Sequence, residues 1–131
     1  MGDYTLPTDQ RVCIDTKQGC EELYQDLVSD TERFRREYHL AERLDIQLVI
    51  LVEDLFVRSL DDFENNWTNP LLKRYKNGRI KKPPRPNAVV RKQIETIQRV
   101  HGTRFLFCHP SDTGEMIVKL LTAGPVGGEE P

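Results

Sequence analysis

Residues 46–53 read Ile-Gln-Leu-Val-Ile-Leu-Val-Glu. Leu48 to Val52 are apolar without a break, so neither face of a strand built from them can meet water. A sheet with one wet face shows alternation instead; an unbroken run is the mark of a strand covered on both sides by helices. This run therefore predicts a central strand in an α/β domain.

The flanking sequence supports that reading. Residues 2–7 and 11–17 read as two strands joined by a turn around Thr8, Asp9 and Gln10. In the second, Val12, Ile14 and Thr16 alternate with Arg11, Cys13, Asp15 and Lys17, which puts Asp15 and Lys17 on one face. Between Glu21 and Leu44 the period becomes helical, through Leu23, Leu27, Phe34, Tyr38, Ala41 and Leu44. Ser-Asp-Thr-Glu at 29–32 fits a capping box and predicts a second helix from about Ser29. Ser59 can begin a short helix within 59–70, with Pro70 as its end or a turn. A long helix is expected over Asn87–His101, with Val90, Ile94, Ile97 and Val100 inward and Gly102 as its stop. Residues 103–108 read as a strand. Residues 111–121 read as a last helix packed through Met116, Ile117, Leu120 and Leu121. The chain of 131 residues suits one domain.

The net charge is −2, with 19 basic and 21 acidic residues. The distribution is uneven. Lys73, Arg74, Lys76, Arg79, Lys81, Lys82, Arg85, Arg91 and Lys92 fall in a stretch without an acid. A basic segment on an acidic body is the footprint of a polyanion partner. Residues 73–86 also hold Gly78 and three prolines, so they read as a mobile loop rather than a packed element. A merely solvated loop is the plain alternative. No apolar run reaches the roughly 20 residues of a membrane span, so no membrane is expected. The first residues lack the basic and apolar regions of a signal peptide. Cys13, Cys20 and Cys108 form no Cys-x-x-Cys pair and read as reduced thiols of a cytoplasmic protein. Cys108-His109 lacks a second ligand pair at suitable spacing, so no zinc is expected.

Asp15 and Lys17 on one strand face can be a solvated edge. A hairpin would also bring Asp3 beside Asp15. Two carboxylates held close repel unless a cation separates them, and Mg²⁺ takes such oxygens. Lys17 alongside could steady a water nucleophile or charge growing on a phosphate.

Gly-Asp-Tyr at 2–4, followed by Ile-Asp-Thr-Lys-Gln-Gly-Cys-Glu at 14–21, resembles the XPF-type nuclease motif: Gly-Asp, a gap, Glu-Arg-Lys, three residues and Asp. Asp3 matches the first acid, Asp15-Thr16-Lys17 the Glu-Arg-Lys triplet, and Glu21 the last acid. Asp3 and Asp15-x-Lys17 also meet the PD-(D/E)xK pattern of the parent superfamily. Residues 32–37, 48–53 and 104–121 resemble later parts of small bacterial and phage members. The resemblance implies a restriction-endonuclease-like fold, a mixed central β-sheet flanked by helices, here lacking the usual first strand with its Asp-x-Arg-Glu. It implies a nuclease-like domain over 1–122; the Gly- and Pro-rich residues 123–131 read as a disordered tail. It also implies Mg²⁺- or Mn²⁺-dependent cleavage of branched or flapped DNA, by a dimer. Asp3, Asp15 and Lys17 would be catalytic, with Asp3, Asp15 and the Thr16 carbonyl holding the metal. A catalytically incomplete module that binds DNA or pairs with a partner is the alternative.

Other residues carry two readings each. Arg33 could reach the scissile phosphate or be solvated. Gln18 could orient a water or end the strand. Glu53 could join the metal shell, but a strand end is favoured. Trp67 could stack on a base, though a core or dimer contact is favoured.

Overall fold

The computed structural model describes residues 3–126. Its sheet has four strands in the order β1 (Tyr4–Leu6), β2 (Asp9–Gln18), β3 (Gln47–Glu53) and β4 (Arg104–Cys108). β1 is antiparallel to β2, whereas β2, β3 and β4 run parallel. The fold is thus α/β with a mixed sheet flanked by helices. Helices α1 (Gly19–Val28) and α2 (Thr31–Arg43) connect β2 to β3, and α3 (Leu60–Asn66), α4 (Pro70–Lys76) and α5 (Asn87–His101) connect β3 to β4. α6 (Thr113–Ala123) follows a short 3-10 turn.

β3 is the middle of the structure because both its faces are apolar. Leu48, Ile50 and Val52 meet α1, α2, α3 and α5 in one cluster, with Leu23, Leu27, Phe34, Phe63, Val90 and Ile94. Val49 and Leu51 meet Val12, Ile14 and the Met116, Ile117, Leu120 and Leu121 face of α6. The inward face expected for the last helix is the one observed.

Several local expectations change. The capping box at Ser29 does not form: α2 starts at Thr31 after Asp30, which makes no side-chain cap. Thr31 Oγ1 instead donates to the carbonyls of Leu27 and Val28. Ser59 does cap α3, its Oγ accepting from the Asp62 N–H at 3.0 Å. Pro70 begins α4 rather than ending α3. It occupies the first turn, where its missing N–H costs nothing, behind Asn69 Oδ1, which accepts from Leu71 N–H. Lys73, Arg74 and Lys76 are therefore helical, against the expected loop over 73–86. The later part is pinned as well, since Tyr24 Oη accepts from the Arg85 N–H at 2.8 Å. α5 has the expected bounds, stopped by Gly102 at φ 73°. Val100, however, is half exposed. Ala123 still belongs to α6, and Val126 exchanges two hydrogen bonds with the Gln47 side chain. Residues 123–126 of the expected disordered tail are thus placed, and residues 127–131 lie outside those described.

Candidate active site

β2 alternates as its sequence requires. Val12 and Ile14 enter the α6 side of the core, so Asp15 and Lys17 point toward α1 and α2. Both are buried. Lys17 Nζ lies 3.0 Å from Asp15 Oδ2 and 2.5 Å from Asp26 Oδ2 on α1. Asp26 Oδ1 in turn accepts from Arg33 of α2 at 3.3 Å, and Arg33 also reaches Asp30. The solvated edge is excluded by this burial.

Burial alone would lower the Lys17 pKa, but hydrogen bonds to Asp26 and Asp15 outweigh it and push the group up to about 12. Lys17 is a fixed cation at neutral pH. Glu37, half-buried on α2, is pushed up to about 7 by burial and then by the charge and hydrogen bond of Asp15. Burial and a neighbouring carboxylate both disfavour the charged form of Glu37. Three acids thus surround one lysine, with Arg33 at the rim, its side chain 66% exposed.

Asp3 sits one residue before the Tyr4–Ile14 pair, so the hairpin brings it to Asp15 in register. Its carboxylate goes elsewhere: Oδ2 accepts from Thr16 N–H at 3.1 Å and from Thr16 Oγ1 at 2.9 Å. Asp3 therefore braces the end of β2. Glu21 is exposed in the first turn of α1, away from the Lys17 ion pairs, whose carboxylates are Asp15 and Asp26. Gln18 and Glu53 lie at the carboxyl ends of neighbouring strands and line a cleft of about 580 Å³ with Gly19, Asp54, Phe56 and Trp67. Crevices at this end of parallel strands are common ligand sites. Asp54 organises its rim by accepting from the N–H groups of Cys20, Phe56 and Val57. Trp67 stacks on Phe63 with centroids 5.3 Å apart, the core role favoured for it.

Asp26 and Glu37 are the residues that sequence reasoning missed. Their signal was an acid on an inward stripe: Asp26 beside Leu23 and Leu27, Glu37 between Phe34 and Ala41. The donor set fits a hard divalent cation in part. Asp15 and Glu37 offer adjacent carboxylates, whereas the Asp3 carboxylate is occupied by Thr16.

The basic stretch divides. Lys73, Arg74, Lys76, Arg79, Lys81, Lys82 and Lys92 are exposed. Arg85 donates to Gln93 Oε1 at 2.8 Å. Arg91 is held by Asp61, Glu64 and Glu95. The tertiary fold brings α3 acids to a segment that is acid-free in sequence. Cys108 is buried with its Sγ 3.7 Å from Thr113 Oγ1, and His109 bonds to Ser111. Among the described residues, no helix is long and apolar enough to cross a membrane.

No family model, curated protein or solved structure matches this chain.

Proposed function

We propose that this chain is a divalent-metal-dependent DNA endonuclease of restriction-endonuclease-like fold, acting on branched or flapped DNA. The observation that carries the reading is the Glu37 carboxyl hydrogen-bonded to the Asp15 carboxylate beside a buried lysine. A pair in that state gains most from a divalent cation. Asp15 and Glu37 would hold Mg²⁺ or Mn²⁺. Such an ion makes a bound water more acidic and balances charge on a phosphate.

The remaining work falls to the chain's own groups. Glu37 gives up its proton when the site is loaded. Lys17, kept charged by Asp26, cannot serve as a base; it orients water or steadies the phosphate. Arg33, exposed at the rim beside Asp26 and Asp30, would meet the phosphate. Asp3 holds Thr16 and so the end of β2. The exposed lysines and arginines of 73–82 supply backbone contacts that position DNA without reading sequence.

A second reading has an observation of its own. Both carboxylate contacts of Lys17 are internal, and Asp3 is occupied by Thr16. A cluster so closed would also suit a module that binds DNA, or pairs with a partner, without cutting. A labelled flap substrate with Mn²⁺ or Mg²⁺ separates the two. Under the first reading, Asp15→Asn and Glu37→Gln each lower cleavage by more than about 100-fold with binding kept. Binding without cleavage in the parent protein selects the DNA-binding module, and neither binding nor cleavage leaves only the partner module.

A further inference from the structure

We propose that His39, Glu42 and His101 form a zinc(II) site that ties the end of α2 to the end of α5. His39 and Glu42 are three apart on α2 and so share a helix face. His101 is the last residue of α5, just before Gly102 turns the chain away. The three residues offer donor atoms that all lie within 4.8 Å of one another.

The spacing suits a small tetrahedral ion. Zinc–nitrogen bonds of about 2.0–2.1 Å place neighbouring donors about 3.3 Å apart. His101 Nδ1 lies 3.1 Å from Glu42 Oε1, and His39 Nδ1 lies 3.8 Å from the same oxygen. These two values bracket the requirement, and the two imidazoles, whose donors lie within 4.8 Å, are brought to it by side-chain rotation. The aromatic packing limits how far the rings can stray. The Tyr38 ring centroid is 5.0 Å from that of His39 and 4.6 Å from that of His101.

The donors also narrow the choice of metal. Two imidazole nitrogens and one carboxylate suit zinc, as they suit other first-row transition ions, and not Mg²⁺, which takes oxygen; zinc, which needs no redox partner, is the ion tested. The Asp15 and Glu37 cluster has the opposite preference. His39 and Glu42 are about half exposed, which leaves the fourth position to water. The site lies where sequence spacing gives no warning, because one ligand is 59 residues from the next in the chain. Its consequence is mechanical. α2 carries Arg33 and Glu37, so zinc would fix the helix that closes the acidic cluster.

The zinc site does not depend on the nuclease reading and is tested without activity. Tag-free protein is titrated with Zn²⁺ by calorimetry, and with Co²⁺ by visible absorption, in excess Mg²⁺. The expected result is one ion per chain, a nitrogen/oxygen spectrum without thiolate charge transfer, and a Tm raised by zinc. His39→Ala and Glu42→Gln, both at exposed positions, should each weaken binding by no less than the about 10- to 100-fold seen when a ligand loses its supporting hydrogen bond. Both should abolish the zinc-dependent Tm rise. Asp15→Asn should bind zinc like the parent. No saturable binding, or parent-like affinity in both His39→Ala and Glu42→Gln, overturns the site.

Discussion

Glu37 shows how one side chain reports on its surroundings. Its carboxyl moves from 4.5 to about 7 through burial and through Asp15. Between those values the folded chain holds a proton that the unfolded chain has released. Stability must therefore fall as pH rises through that window. The shift corresponds to about 2–3 kcal/mol at most for this half-buried group. Urea unfolding from about pH 4.5 to about pH 7.5 should show the fall in the parent and lose that component in Glu37→Gln. Equal pH slopes in the two proteins would mean that Glu37 is not coupled to Asp15. Lys17 is a raised cation with a higher window. Its stabilising pairings persist until pH approaches about 12, outside the range of that experiment.

At the scale of elements, the basic segment is a helix followed by a pinned connection. Pro70 and Asn69 start α4, which shows Lys73, Arg74 and Lys76 to solvent, and the chain then returns along α1 through the Arg85–Tyr24 contact. The exposed positions, not the segment as a whole, are the candidates for phosphate contact. Binding to duplex DNA should weaken with salt at a slope of about −0.9 per phosphate neutralised. Replacing Arg79, Lys81 and Lys82 with Ser should flatten that slope by about two to three units, equally for unrelated sequences. Arg91→Ser should leave it unchanged, because Asp61, Glu64 and Glu95 already hold that charge. A triple variant with the parent's slope would move the DNA path elsewhere.

For the whole molecule, the sheet has two edges, β1 and β4, and among the described residues α6 covers one face by itself. β4 is the last strand of the sheet, and on α5 Val89 and Val100 are about half exposed. Edge strands and exposed apolar side chains each favour pairing with a second chain. Light scattering at micromolar concentration should give about twice the 15.2 kDa of one chain. Val89→Asp with Val100→Asp should return it to one. A parent mass of one chain would remove the dimer.

Period and local chemistry make part of this protein legible in its sequence. The unbroken run at 48–52 demands cover on both sides, and the alternation of 12–17 places Asp15 and Lys17 together. Gly102 and Ser59 mark helix ends because glycine tolerates positive φ and a hydroxyl can replace a missing backbone acceptor. These are short-range effects, settled within a few residues. Helix crossing decided the rest. It set Asp26 and Glu37 against β2, brought α3 acids to Arg91, and joined His101 to His39 and Glu42, while strand pairing turned the Asp3 carboxylate to Thr16. Such pairings depend on how elements distant in the chain pack, and no spacing along the sequence encodes that distance.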